Sequence, residues 1–115
     1  MRRLHEAAAS NRDARLAIEM FCYSVRKQVA AMVAVLDGLD MLVFTGGIGE
    51  NDAQVRAEIC AGLAWVGISL DETRNRAASN PARCLISDGS SPCQVLVLPS
   101  QEDEQIARHA WAALA

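Results

Sequence analysis

Residues 46 to 51, Gly-Gly-Ile-Gly-Glu-Asn, set three bare backbone positions beside a carboxylate and an amide. Glycine admits positive φ and lets a flat ligand lie against the main chain. Asn51 adds an amide that both donates and accepts hydrogen bonds. Upstream stands the apolar run Met41 to Thr45; downstream, Val55, Ile59, Leu63 and Val66 recur at helical spacing. The glycines therefore read as a strand-to-helix junction, where a helix start offers free N–H groups and a positive dipole end to a nucleotide. Neither familiar phosphate motif is met. GxxxxGK[ST] needs a lysine after its last glycine, and the chain's single lysine, Lys27, lies in another segment. GxGxxG from Gly47 would need glycine where Asp52 stands. The plainer alternative is a tight turn with Asn51 as N-cap and Gln54 completing a capping-box-like pair.

Other chemistry-bearing residues have plain readings of their own. In Pro99-Ser100-Gln101-Glu102-Asp103, Ser100 can cap a final helix, Asp103 can close its capping box, and Glu102 then sits at the positive dipole end. Arg2-Arg3 reads as a solvated basic start at a mobile terminus. His5 is expected near that terminus, and His109 on the surface of the last helix. Cys22, Cys60, Cys84 and Cys93 show no CxxC spacing, so free thiols are expected rather than a zinc or redox motif. With no secretory n- and h-region at the start, they place the chain in a reducing cytoplasm.

The elements that must position these groups follow from periodicity. Ser10 or Asn11 can cap a helix carrying Ile18, Cys22, Val25, Val29, Met32, Val33 and Leu36 on one stripe. Asp37-Gly38 ends it, with glycine as the residue suited to a left-handed cap. A shorter helix over about Arg3 to Ala9 precedes it. Met41 to Thr45 lacks alternation and is expected as a central strand covered on both faces. Gly62 and Gly67 mark the end of the helix that starts near Asn51. Asp71 caps a short helix through Ala78, broken by Ser79-Asn80-Pro81. Two further strands, Arg83 to Ser87 and Gln94 to Leu98, flank the turn-rich stretch Asp88 to Pro92, and a helix runs from about Gln101 to Leu114.

The 115 residues, 51% hydrophobic and 22% charged, fit one globular unit without linker or repeat. The net charge of −3 and the scattered arginines argue against a nucleic-acid partner. The longest unbroken apolar run, Val29 to Leu36, falls short of the roughly 20 residues that span a bilayer, so no membrane partner is expected.

Three collinear blocks carry a resemblance: "LVFTGGIGENDAQVR" from Leu42, "ICAGLAWVGISLD" from Ile59 and "VLVLPSQEDEQIARHA" from Val95. Together they resemble the C-terminal part of acetate kinase and its acetokinase relatives, and residues 1 to 40 resemble the family's long helix and the segment before it. The resemblance implies an α/β fold, part of a ribonuclease H-like domain of the actin, sugar-kinase and heat-shock-protein superfamily. Residues 1–115 would be its C-terminal nucleotide-binding part, a quarter to a third of the enzyme, with the N-terminal lobe absent.

The implied activity is reversible transfer of the γ-phosphoryl group of ATP to acetate, giving acetyl phosphate. Propionate and butyrate stay open as acceptors. In that family the glycine stretch closes over adenine and ribose, which implies nucleotide contacts at Gly47, Ile48, Gly49, Glu50 and Asn51. Arg2 matches a nucleotide-contacting arginine, the aspartate paired with it in the family falling before Met1. Glu102 matches a glutamate associated with magnesium, a suitable hard oxygen ligand for an ion bridging ATP or ADP phosphates. No position carries the family's catalytic arginine and histidine or its acetate-binding residues, so the chain alone is expected to lack kinase activity. The resemblance also implies a homodimer. The alternative from another class is a non-catalytic, self-associating remnant that acts as an interaction module.

Overall fold

The computed structural model describes residues 1–78, 83–100 and 102–114; the side chains of residues 102 to 104 lie outside that description. Helix α1 (Arg2–Ala8) packs against α2 (Arg12–Leu36). Asn11 caps α2, its side-chain oxygen accepting from the backbone N–H of Asp13 at 2.9 Å and of Ala14 at 3.3 Å. At the other end Asp37, not Gly38, takes the left-handed position, at φ 58°. Aspartate tolerates that conformation because its short polar side chain bonds locally.

The α2 stripe meets the core from Ala14 to Val29. Ala14, Ile18 and Cys22 are buried and Val25 and Val29 are half-buried, whereas Met32 and Leu36 are exposed. Ile18 and Cys22 pack into one cluster with Val55, Ile59, Leu63 and Val95.

Among the described residues the sheet has three strands, β1 (Met41–Phe44), β2 (Cys84–Leu85) and β3 (Gln94–Val97), in the order β1-β3-β2. β1 runs parallel to β3, Met41 opposite Gln94 and Phe44 opposite Val97; β2 is antiparallel to β3. The central strand is therefore β3, whose Val95, Leu96 and Val97 are all buried. β1, expected at the centre, lies at the edge, and Met41 and Val43 on one of its faces are exposed. An unbroken apolar run shows that a strand is greasy, not how many neighbours this chain gives it. β2 is shorter than the expected Arg83 to Ser87, because Ser87 leaves the ladder to bridge Leu70.

Between β1 and β2 lie α3 (Gly46–Asn51), α4 (Ala53–Ala61), a 3-10 turn (Ala64–Val66) and α5 (Glu72–Ala77). Gly62 ends α4 and Gly67, at φ 100°, ends the 3-10 turn. Asp71 caps α5, accepting from Arg74 N–H at 3.0 Å. The break expected at Ser79-Asn80-Pro81 lies outside the described residues, as does Gln101 before α6 (Glu102–Leu114). Among the described residues no helix is long and apolar enough to cross a membrane.

Candidate functional site

The glycine stretch is itself helical. Chain direction changes at Gly46, φ 78°, and α3 then makes a short helix through Asn51. A residue with a Cβ in that left-handed position costs roughly 1–2 kcal/mol, so the backbone requires glycine at Gly46. It does not require glycine at Gly47. There φ lies outside the left-handed range, and a Cβ built on it would meet no atom within 4 Å. The bare position at Gly47 serves neither a turn nor internal packing.

The cap between α3 and α4 is Asp52, not Asn51. One Asp52 oxygen accepts from the backbone N–H of Val55 at 2.9 Å; the other lies 2.8 Å from His5 Nε2. Both residue types cap well, and adjacency left the choice to geometry. Asn51 instead folds back within α3, its side-chain amide donating to the Gly47 carbonyl at 2.9 Å. His5, expected at a mobile terminus, is largely buried and ties α1 to the start of α4. Its partner lies 47 residues away, a distance at which no local pattern signals a bond.

Behind the turn stands Arg56, 1% exposed. Its Nε donates to the Asn75 side-chain oxygen at 2.8 Å, one terminal nitrogen to the carbonyls of Gly49 at 2.9 Å and Glu50 at 3.0 Å, and the other to the carbonyls of Asn75 at 2.7 Å and Ala78 at 3.4 Å. All five guanidinium donors are used, every one on a neutral oxygen. Burial pulls this guanidinium below its ordinary pKa, with the Asp52 carboxylate opposing; an arginine nonetheless keeps its charge. Sequence reasoning missed Arg56. Its one signal was a charge directly between Val55 and the rest of the apolar α4 face.

Arg2, Gly47, Ile48 and Asn51 meet in one cleft of about 440 Å³ between α1 and the turn, with His5 and Glu6 beside them. That volume lies within the range of small-molecule sites, roughly 300–1,000 Å³. Arg2 is exposed and its Nε lies 3.3 Å from a Glu6 oxygen. Gly49 and Glu50 stand in the same turn, but their carbonyls point back to Arg56.

A larger cleft, about 920 Å³, lies on the other side of the junction, between the ends of β1 and β3 and helix α6; Thr45, Leu98, Ser100 and His109 line it. Both clefts adjoin the carboxyl ends of parallel strands, where open α/β sheets take ligands. Glu102 begins α6, but its side chain lies outside the described residues. The caps expected from Ser100 and Asp103 rest on the same undescribed segment. Among the described residues no three His, Cys, Asp or Glu side chains converge on a metal position.

A model of the acetokinase family matches residues 1–108. The chain is 46% identical over 109 residues to the acetate kinase of Lawsonia intracellularis, covering 94% of this chain and 27% of that protein. It is 48% identical over 109 residues to the acetate kinase of Nitratidesulfovibrio vulgaris (strain DP4), again covering 94% of this chain and 27% of the relative. Among solved structures, Porphyromonas gingivalis acetate kinase superposes with a TM-score of 0.85 at 34% identity, over 99% of this chain and 29% of that one. A propionate kinase from Francisella tularensis superposes with a TM-score of 0.79 at 38% identity, over 92% of this chain and 27% of that one. The chain thus spans about 27% of the length of these curated relatives.

Proposed function

The chain belongs to the acetokinase family and has the ribonuclease H-like α/β fold of its structural neighbours, and on that premise we propose that it supplies the nucleotide-binding part of a kinase that transfers the γ-phosphoryl group of ATP to a short carboxylate. Acetate is the first candidate acceptor, and propionate the second, since both acetate and propionate kinases are among the structural neighbours. The observation that carries the reading is Gly47. Its missing side chain answers no demand of the fold, yet it opens on a cleft that also contains Arg2, Ile48 and Asn51.

In this reading adenine and ribose lie against the bare main chain of Gly47 and the side chain of Ile48. Asn51 gives up its bond to the Gly47 carbonyl, or keeps it and accepts through its oxygen. Arg2 exchanges exposed Glu6 for negative charge on the nucleotide, a small loss because such an exposed pair contributes only about 0–1 kcal/mol. Gly49 and Glu50 contribute through their backbone, held from behind. Glu102 is the proposed magnesium ligand. One carboxylate, with water and nucleotide phosphates completing the shell, is a donor set that magnesium accepts, and the ion would neutralise phosphate charge. The proposed setting is the cytoplasm.

Calorimetric titration of the chain with ADP and ATP, with and without magnesium, tests the site. Saturable binding that is weakened in Asn51→Ala supports it; a folded chain that gives no heat with either nucleotide refutes it. The proposed inactivity of the chain alone is checked separately by acetyl phosphate formation from ATP and acetate, where turnover would refute it.

A second reading, self-association, is favoured by the apolar surface of α2. Met20, Tyr23, Met32, Val35 and Leu36 are all exposed, as are Met41 and Val43 on edge strand β1. Exposed large apolar side chains in this number favour association with another surface. Sedimentation velocity across a concentration series decides it: a concentration-dependent dimer supports the reading, a monomer throughout removes it.

A further inference from the structure

Arg56 has no carboxylate partner at salt-bridge distance among the described ion pairs. A cation placed 1% exposed among neutral oxygens is an expensive way to fill a core, since apolar side chains of similar volume do as well or better. Its geometry shows what it achieves instead. The guanidinium joins two segments: the carbonyls of Gly49 and Glu50 at the end of α3, and Asn75 and Ala78 around the end of α5. Asn75 continues the chain of contacts, its side-chain amide donating to the Ala53 carbonyl at 2.8 Å. The turn is thereby gripped at its Gly49 and Glu50 carbonyls by a buried side chain, while Gly47, Ile48 and Asn51 line the cleft.

We propose that Arg56 is the positioning residue of the nucleotide turn: its guanidinium fixes the Gly49 and Glu50 carbonyls inward, and so sets the orientation in which Gly47 and Asn51 meet a nucleotide. The proposal rests on the nucleotide reading for its ligand half and on the hydrogen bonds alone for its clamp half. Lysine cannot replace it. An ammonium offers three donors from a single point, against five in a planar fork, and cannot reach oxygens on two segments at once. The buried charge also serves the orientation. Carbonyls turned toward a cation are turned away from an anionic ligand, whose approach their negative ends would oppose.

The test compares wild type with Arg56→Lys, which keeps the charge, and Asn75→Ala, which leaves the guanidinium and its carbonyl bonds but removes the Nε acceptor. Amide hydrogen exchange is followed by peptide, and ADP affinity by calorimetry, on chains whose circular dichroism shows them folded. In Arg56→Lys the peptide covering residues 47 to 52 should exchange about tenfold faster while the first half of α2 is unchanged. ADP binding should weaken about fivefold or more. Asn75→Ala should shift both readouts in the same direction by less, and it carries the test if Arg56→Lys does not fold. Unchanged exchange at residues 47 to 52 in a folded variant overturns the clamp. So does exchange that rises equally throughout the chain, which would make Arg56 a general stabiliser. A local exchange response in a chain whose wild type binds no ADP would support the clamp and overturn the nucleotide half.

Discussion

The turn at Gly46–Asn51 and helix α6 follow the same ends of two paired parallel strands, and they differ in burial. Two of the five Arg56 bonds hold the turn at the Gly49 and Glu50 carbonyls, the helix that follows is capped by Asp52, and Asp52 is tied to α1 through His5. In α6 every described side chain, residues 105 to 114, is exposed, Trp111 at 77% and Leu114 at 85%. The chain's own packing therefore orders the turn and leaves the described side chains of α6 at the surface. The proposed nucleotide face is preformed by contacts within these residues, so it is testable on this chain. A role for Glu102 rests on its sequence match.

The sharpest way to break that contrast is through stability. Leu63→Ala removes a side chain 1% exposed in the core cluster and should cost about 3 kcal/mol. Trp111→Ala should stay within about 0.5 kcal/mol, as an exposed substitution does. Urea unfolding measures both, and comparable losses would mean that α6 is packed after all.

Within the turn itself the two neighbouring glycines should separate. Gly46→Ala forces a Cβ into the left-handed region and should destabilise by roughly 1–2 kcal/mol. Gly47→Ala meets no atom and should stabilise by up to about 1 kcal/mol, alanine being the better helix former. Thermal melts of the two variants against wild type check the signs. Equal destabilisation would return Gly47 to an ordinary structural glycine.

Thiol reactivity should follow the same map. Burial raises Cys22 to about 11 and Cys60 to about 12, so both should remain unlabelled by a disulfide reagent at pH 8 while half-buried Cys84 reacts first. Rapid labelling of Cys60 would contradict a closed core around α4.

The smallest effect concerns the far end of the sheet. Asp88 accepts from the hydroxyls of Ser69 and Ser90, which lowers its carboxyl below the ordinary value. A lowered folded-state value stabilises the fold above the unfolded carboxyl value, near 3.9, and that stability is lost as pH falls through the folded one. Ser69→Ala should therefore melt slightly lower than wild type at pH 7, and the gap should close on acidification toward pH 2. A gap independent of pH would show that the Ser69 contribution is not linked to the Asp88 charge.

Much of this arrangement was legible in the residues. The Asn11 cap and the three- and four-residue apolar steps marked α2, and the greasy runs before the glycines and before Pro99 marked β1 and β3. Arg2, Gly47, Ile48 and Asn51 were named from the sequence, and they share a cleft. What was hidden had physical reasons. Glycine's poor helix propensity concealed α3, which the tertiary structure imposes. Asn51 and Asp52 are equally good caps by type. Arginine is rarely buried, so nothing in its residue type singled out Arg56. β1 gave no sign of being at an edge, because strand order is decided by residues some fifty positions away in β3.

Gly47 is proposed to be bare for a ligand and not for the fold. The direct measurement is the ADP dissociation constant of Gly47→Ala beside that of wild type, by calorimetry. The account predicts saturable binding by wild type that is weakened about tenfold in a variant no less stable than its parent. Equal affinity in the two chains, or no binding by a folded wild type, would contradict it.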